Sequence, residues 1–205
     1  MVMNEKYYEP AQSVTYEEKI KRSVFIADAA ICHDEEEAKS FLAKIISQHR
    51  DATHNCRAYL LSSGAEYFSD DGEPSGTAGR PILNAIKRSG LVNVIVVVTR
   101  YYGGVKLGVR GLIDAYGETA AKALELAGSV ERILTQKFHV ELDYNAVKTI
   151  TRFLESCGGL NLRWDYAEKV NVSCEVPVDA CENLASQLDE LRERKIITSW
   201  EKLSS

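Results

Sequence analysis

Apolar positions in the first 70 residues follow first the pattern of a strand and then that of a helix. Residues 21–31 (KRSVFIADAAI) form an apolar run typical of a strand. Residues 35–49 carry apolar side chains at the spacing of one helix face, after Asp34, which can cap the first turn. Two further apolar runs, 56–62 and 65–68, flank a Ser-Gly dipeptide and predict a β-hairpin.

The next 60 residues continue this alternation around two glycine-rich segments. The segment DDGEPSGTAG at residues 70–79 interrupts regular structure, and Pro81 is expected as the first residue of a helix that reaches Gly90. Residues 92–99 are apolar at nearly every position, which predicts a strand covered on both faces. A helical pattern then runs from residue 112 to residue 126.

Beyond residue 129 the pattern restarts in a β-α-β-β-α-β order, with Asp179 as a candidate cap for the second helix. This order is typical of a ferredoxin-like unit of about 70 residues. We therefore predict an α+β protein with two domains, residues 1–131 and residues 132–205. The expected strands are 136–142, 160–167, 170–178 and 196–200, and the expected helices are 146–157 and 179–191.

Composition narrows the class of protein. With 205 residues and 45% hydrophobic content, the chain can bury a core without disulfides, and its five unclustered cysteines indicate reduced thiols. No apolar run reaches the roughly 18 residues that span a bilayer. We expect a soluble cytoplasmic protein that does not bind membranes.

Charge is distributed unevenly along the chain. The net charge of −5 argues against nonspecific nucleic-acid binding over the whole surface, but residues 74–113 contain six Lys or Arg and no Asp or Glu. Within this window, glycines would let a backbone approach a ligand, cations could hold phosphates and tyrosines could stack on bases. The candidate nucleic-acid-binding residues are Arg80, Arg100, Tyr101, Tyr102, Lys106 and Arg110. The alternative is a strand-to-helix turn with packed tyrosines and solvated cations.

Three carboxylates within four residues form a second candidate constellation. Asp70, Asp71 and Glu73 could bind a cation or act as acid and base, or they could cap backbone N–H groups in an ordinary turn. We predict that residues 70–79 and 100–111 lie side by side and share one cleft, because the three acids are the nearest cluster able to offset the cations. His54 and Thr77 are expected at its rim.

Metal and cofactor motifs are absent from the sequence. The four histidines and five cysteines lack the paired spacing of a zinc site, and neither a phosphate-binding G-x-x-x-x-G-K-[ST] loop nor a G-x-G-x-x-G fingerprint occurs. We expect no metal and no cofactor, and we assign no catalytic residue.

The two glycine-rich segments together resemble the signature of a known family. DDGEPSGTAG, then Gly79-x-x-Ile82-Leu83, then the run from Val97 through Arg100-Tyr101-Tyr102-Gly103-Gly104 to Leu107-Gly108 is similar to the IMPACT family and its bacterial YigZ-type branch. One position departs from the family pattern, since Arg110 stands where a glycine is expected.

The resemblance implies both a fold and a cellular process. It implies a ribosomal protein S5 domain 2-like N-terminal domain and a ferredoxin-like C-terminal domain similar to a terminal domain of elongation factor G. Eukaryotic family members act in translational control through an additional N-terminal RWD domain, for which this chain has no room, so that regulatory role is not expected here.

Three functional hypotheses remain open from the sequence. The first is a non-catalytic, translation-associated regulator that binds RNA or a ribosome-associated surface through the basic glycine-rich loop. The second is a hydrolase acting on a small phosphorylated or peptide substrate between the acidic cluster and Arg100. The third is a module that binds a protein partner.

Overall fold

The computed structural model describes residues 6–203, which form a mixed structure of helices and strands. Two short 3₁₀ turns, Tyr144–Ala146 and Val178–Ala180, each lead into a helix. In chain order the elements are β1 (Lys6–Glu9), β2 (Val14–Ile20), β3 (Ser23–Ile31), α1 (Glu35–Gln48), β4 (His54–Leu60), β5 (Glu66–Ser69), α2 (Gly79–Ser89), β6 (Val94–Tyr101), α3 (Gly108–Ala127), β7 (Val130–Ile133), β8 (Thr135–Leu142), α4 (Val147–Ser156), β9 (Leu160–Tyr166), β10 (Val170–Pro177), α5 (Cys181–Glu193) and β11 (Ile197–Leu203).

The described residues divide into two compact units. Residues 7–132 form the larger unit, and residues 133–203 together with Lys6 form the smaller one. No helix in the described part of the chain is both long enough and apolar enough to cross a membrane.

The larger unit is built on a five-stranded sheet in the order β2-β3-β6-β4-β5, in which every neighbouring pair is antiparallel. Alternate residues of the central strands face opposite sides, as the twofold period of a strand requires. Val94, Val96 and Val98 pack in the core formed with α2 and α3, whereas Ile95 and Val97 pack in the core that contains α1 residues. Because helices cover both faces, β6 can be apolar at consecutive positions.

Antiparallel pairing corrects one sequence-based argument. The sequence predicted a strand over residues 92–99 that is covered on both faces, which would place Arg100 beyond its carboxyl end, where ligands gather in open α/β sheets. The strand is buried on both faces as expected, but it continues through Arg100 to Tyr101. Arg100 therefore lies within the sheet, hydrogen-bonded between two neighbouring strands, and does not sit in a loop after it.

Other element boundaries agree with the sequence or differ for local reasons. The Asp34 side chain caps α1 by accepting the Glu37 N–H at 2.8 Å. Pro81 is the third residue of α2, not the first, since α2 begins at Gly79. The β2–β3 connection, which the sequence pattern did not predict, is a tight turn in which Lys21 and Arg22 both have positive φ.

The smaller unit has the element order β8-α4-β9-β10-α5-β11 and a four-stranded antiparallel sheet in the order β11-β8-β10-β9. Its core alternates along the central strands, with Phe138, Val140 and Leu142 of β8 fully buried. Asp179 does not cap α5 as the sequence suggested. It lies inside the preceding 3₁₀ turn, and the residue at the α5 N-cap position is Ala180, which has no side chain able to accept a hydrogen bond.

A buried carboxylate holds β1 in the larger unit. Glu9 accepts hydrogen bonds from Asn93 Nδ2 at 2.7 Å and from Arg132 Nε at 2.8 Å, and His33 Nε2 lies 3.4 Å away. Burial acts to raise the pKa of Glu9, but the hydrogen bonds from Asn93 and Arg132 and the nearby His33 outweigh it and lower this pKa. The ionised carboxylate therefore stabilises the fold.

The lowered pKa predicts a pH-dependent contribution to stability. A carboxylate whose folded pKa is depressed contributes above its unfolded value of about 4.3, and this contribution is lost as the pH falls through the folded pKa. We expect Glu9→Gln to lower the free energy of unfolding by about 1–3 kcal/mol at pH 7 and by less at pH 3. Urea unfolding at both pH values measures this, with the exposed Glu17→Gln as the charge-matched control. An equal loss at both pH values would contradict it.

Candidate functional site around Arg100

The candidate site begins with a row of residues across the large sheet. In the strand register, Arg100 of β6 is paired on one side with Phe25 of β3 and on the other with His54 of β4. Phe25 belongs to the core beneath α3, so this row lies on the α3 face of the sheet. Residue His54 is therefore held next to Arg100 by backbone pairing.

Arg100 and Glu73 form a buried ion pair at the centre of this row. The Arg100 Nη1 donates to Glu73 Oε1 at 2.5 Å, and the side chains are only 6% and 4% exposed. Tyr116 of α3 donates its hydroxyl to the same Glu73 oxygen at 2.8 Å. The Arg100 guanidinium also lies 5.4 Å from the Phe25 ring centroid and 5.2 Å from that of Tyr102. A loop, a strand and a helix therefore meet at one carboxylate.

Asp70 organises the loop that carries Glu73. Its Oδ1 accepts the N–H groups of Ala78 and Gly79 at 3.0 and 2.8 Å, and its Oδ2 accepts the Gly76 N–H at 2.8 Å. A Cβ at Gly79 would lie 2.7 Å from the backbone of Ser69, so only glycine permits this close approach. The loop and the start of α2 are thus held around the Asp70 carboxylate by these hydrogen bonds.

Asp71 joins the same loop to the sheet. Its Oδ2 accepts the backbone N–H of Asn55 at 2.7 Å, and its Oδ1 lies 3.5 Å from Arg57 Nη1. Asp70 and Asp71 therefore have the structural role that the turn interpretation assigned to acidic residues. Of the three carboxylates in this cluster, Glu73 is the one that lines the adjacent pocket.

His54 is oriented by a backbone carbonyl. Its Nδ1 lies 2.8 Å from the Asp71 carbonyl oxygen, and because a carbonyl only accepts, Nδ1 carries the proton. The opposite ring nitrogen, Nε2, lies 3.9 Å from Glu73 Oε1.

Cys56 and Tyr116 are buried near the pocket, and both remain protonated at neutral pH. Burial raises the pKa of the Cys56 thiol to about 12, and the thiol donates to the Asp70 carbonyl oxygen at 2.9 Å. Burial likewise raises the pKa of Tyr116 far above its usual value. Within residues 6–203 no three His, Cys, Asp or Glu side chains are grouped as metal ligands.

A pocket of about 490 Å³ opens in front of the ion pair. Its walls combine polar groups from the sheet and the acidic loop with apolar side chains at the start of α3. The residues that line it are Thr53, His54, Glu73, Pro74, Arg100, Tyr102, Lys106, Leu107, Gly108, Val109 and Leu112. Residues of both the 70–79 and 100–111 segments thus face one pocket, with His54 beside them.

The two neighbouring tyrosines face opposite sides of the sheet. Tyr101, the last residue of β6, shares a hydrogen bond of 2.9 Å with His49 Nδ1 at the end of α1, on the face away from Arg100. Tyr102 is 45% exposed on the pocket side, and the Thr53 hydroxyl accepts its backbone N–H at 3.0 Å. Of the two rings, Tyr102 is the one available for stacking in this pocket.

The four candidate cations lie in four different environments. Arg100 is buried and neutralised by Glu73, whereas Lys106 is exposed at the pocket and Arg110 is exposed at the start of α3. Arg80 lies elsewhere, over the Phe68 ring in a groove between α2 and α3. It is therefore not grouped with the others.

Thr77 is not at the rim of the cleft, where we expected it. Its side chain is buried because its hydroxyl turns inward and donates to the Pro74 carbonyl oxygen at 2.6 Å.

Sequence reasoning missed two contributors to this site. Tyr116 was assigned only to the apolar face of a helix, although a tyrosine among core positions needs a hydrogen-bond partner. The Lys21-Arg22 turn was taken as the start of a strand. Its backbone lies directly against Gly103, where a Cβ would be 2.0 Å from the Arg22 carbonyl oxygen.

Comparison with known proteins identifies the family of the chain. Residues 21–124 match the family model described as the Impact N-terminal domain. The chain belongs to the IMPACT family. The IMPACT family member YvyE of Bacillus subtilis is 39% identical over 170 residues, which cover 82% of this chain and 78% of that protein. The IMPACT family member YigZ of Escherichia coli is 34% identical over 188 residues, or 90% and 92% of the two chains.

A solved structure extends the IMPACT comparison to both units. A crystal structure described as that of a hypothetical protein matches with a TM-score of 0.72 and 31% identity, over 99% of this chain and 98% of that one. The resemblance indicated by the glycine-rich motifs is confirmed, and this IMPACT chain is a mixed α/β protein.

Breaking the ion pair from one side should be more harmful than removing both charges. Arg100→Met leaves Glu73 buried without a counter-charge, and we expect it to lower the free energy of unfolding by about 3–5 kcal/mol. The double variant Arg100→Met/Glu73→Gln keeps an acceptor for Tyr116 without a buried charge and should lose less than Arg100→Met alone. Urea unfolding of the wild type, of the single variants Arg100→Met and Glu73→Gln, and of the double variant measures the coupling. Strictly additive losses would show that the pair is not coupled.

Thiol reactivity should separate one cysteine from the others. Burial is the first cause of the raised pKa of Cys32 and Cys56, both to about 12, of Cys174, to about 11, and of Cys181. Because the thiolate is the reactive form, we expect the native protein to react rapidly with an aromatic disulfide reagent at pH 8 only at the half-buried Cys157. Cys157→Ser should remove the fast phase, and a fast thiol remaining in that variant would refute this.

Proposed function

We propose that the chain is a non-catalytic, translation-associated regulator that binds RNA or a ribonucleoprotein surface at the edge around Tyr102. The observation that carries this proposal is an exposed aromatic ring, fixed at the mouth of a pocket and bordered by exposed cations. Stacking on aromatic side chains together with contacts from cations to phosphates is how single-stranded nucleic acids are bound.

The ring of Tyr102 is held ready for stacking. The hydrogen bond from its backbone N–H to Thr53 and the Arg100 guanidinium beside its ring restrict its orientation. Little conformational entropy is then lost when a base stacks on the exposed part of the ring. The role of Arg100 in this proposal differs from direct phosphate contact, because Glu73 already neutralises its charge.

Four exposed cations lie on the turn that contacts Gly103 and on the 100–111 segment, and we call them the basic rim: Lys21, Arg22, Lys106 and Arg110. The Lys21-Arg22 turn lies against Gly103, one residue from Tyr102. Among residues 6–203, Lys21, Arg22 and Lys106 form no ion pair, and Arg110 has only a 4.0 Å approach to Asp114. Exposed cations without an ion pair are free to contact phosphates. Such contacts supply most of the affinity of nonspecific nucleic-acid binding.

Two observations support a non-catalytic role over hydrolysis. Asp70 and Asp71 are engaged in holding the 70–79 loop, and Glu73 is engaged by Arg100 and Tyr116. The raised pKa of Cys56 leaves no thiolate to act as a nucleophile at neutral pH. Membership in a family with translational-control members supports the translational part, with a protein partner as a further candidate.

We extend the proposal to the domains and the location of the chain. The strand order β11-β8-β10-β9 supports a ferredoxin-like assignment for residues 132–205. For residues 1–131 we propose the ribosomal protein S5 domain 2-like fold that the family resemblance implies. A translational role places the protein in the cytoplasm.

Reversing one charge of the basic rim should weaken RNA binding. We expect Lys106→Glu to reduce the affinity for a short unstructured RNA at least about fivefold and to lower the slope of log K against log salt by about 0.7, as for one lost phosphate contact. Fluorescence anisotropy across a salt series measures both quantities. Lys44→Glu, an exposed position on α1 with the same change of charge, is the matched control. Equal binding by both variants, or no binding by the wild type, would overturn the proposed function.

A further inference from the structure

Two unsatisfied acceptors stand at the inner end of the pocket in front of Arg100. Both Arg100 Nη1 and Tyr116 donate to Glu73 Oε1, while no hydrogen bond reaches Glu73 Oε2 from residues 6–203, and Glu73 lines the pocket. His54 Nε2 lies 3.9 Å from Oε1, so the histidine and the carboxylate face the same space.

The tautomer of His54 that the Asp71 carbonyl selects leaves the other ring nitrogen, Nε2, as a hydrogen-bond acceptor. Because Nδ1 donates its proton to the Asp71 carbonyl oxygen, neutral His54 has a lone pair at Nε2. Both residues line the pocket, which therefore offers a carboxylate oxygen and an imidazole nitrogen to one ligand. A ligand that fits them must present two adjacent hydrogen-bond donors.

We propose that this pocket binds a guanine base. Guanine presents N1–H and the N2 amino group next to each other on its Watson–Crick edge. On the corresponding edges of adenine and cytosine an amino donor stands next to a ring acceptor, and uracil has a single N–H between two carbonyl groups. The inference rests on the proposed function, in which the base belongs to an RNA, but the same chemistry would recognise a free guanine nucleotide.

The remaining walls fit a flat aromatic ring with a phosphate at its outer end. Tyr102 offers a stacking face, and Leu107, Val109 and Leu112 provide apolar surface. A volume of about 490 Å³ is within the range of about 300–1,000 Å³ typical of small-ligand sites. Lys106 lines the same pocket without an ion pair to any other described residue, where it can contact a phosphate.

The ion pair explains why the carboxylate can serve as a neutral-ligand acceptor. An unpaired buried carboxylate would be costly and would favour cationic ligands. Arg100 compensates the charge of Glu73 through Oε1 and leaves Oε2 free for hydrogen bonding. Selection then depends on the donor pattern of the ligand more than on its net charge.

Nucleotide titration of the full chain tests the proposal without altering the protein. We expect isothermal titration calorimetry at pH 7.5 to show GMP binding roughly 10- to 100-fold more tightly than AMP, CMP or UMP, as for one bidentate base contact. IMP keeps N1–H and lacks the N2 amino group, so its affinity should be intermediate. Equal affinity for all five nucleotides, or no binding of GMP, would overturn the guanine assignment.

Variants and RNA then assign the site and separate it from the proposed function. His54→Phe keeps an aromatic ring, removes the acceptor and should reduce the preference for GMP over IMP, while Lys44→Glu should bind like the wild type. Thermal unfolding of His54→Phe verifies that it is folded, and an unchanged GMP preference in the folded variant would contradict the assignment.

The same comparison with short oligonucleotides, one containing guanines and one with inosine in their place, tests the RNA source. Preference for the guanine oligonucleotide supports both proposals. RNA binding without base preference overturns the guanine assignment alone. GMP binding without any RNA binding supports the pocket and overturns the RNA-binding function.

Discussion

The buried pair of Arg100 and Glu73 is the interaction on which the larger unit depends. It joins the central strand β6, the 70–79 loop and, through the Tyr116 hydroxyl, helix α3. A charge pair removed from water is stabilised by further hydrogen bonds. Tyr116 donates one to Glu73 and Ser23 accepts one from Arg100 Nη2 at 3.3 Å, whereas Arg100 Nε has no partner among residues 6–203. The position of each element therefore determines whether the others can keep a charged group in the core.

The same pair divides the acidic segment into supporting and site-forming residues. The carboxylates of Asp70 and Asp71 accept hydrogen bonds from backbone N–H groups of the loop and of β4, and these bonds hold Glu73 at a fixed position. The carbonyl of Asp71 in turn fixes the ring of His54. The pocket is thus lined by side chains whose orientations are set from behind, which is the arrangement that selective recognition requires.

The parts of this structure that the sequence predicted are those with strong periodicity or punctuation. The apolar run of β6, the β4–β5 hairpin and the Asp34 cap were all readable from local pattern. Edge strand β2 was missed because three of its seven residues are exposed and none is fully buried, so its charged residues hide the alternation.

The candidate site was predicted as a neighbourhood but not in its details. Extending the predicted strand by two residues, to Tyr101, would have placed Arg100 and Tyr101 on opposite faces of the sheet. The contribution of Tyr116, 43 residues from its partner Glu73, depends on tertiary packing that no local pattern contains.

The close contact of Gly103 with the Lys21-Arg22 turn has an evolutionary consequence. The contact is made by the Arg22 backbone and depends on the missing side chain of Gly103, so the charge of the turn can change wherever the new residues accept the positive φ of Lys21 and Arg22. Relatives could therefore adjust the strength of attraction to a polyanion at this turn while leaving the selectivity of the pocket unchanged.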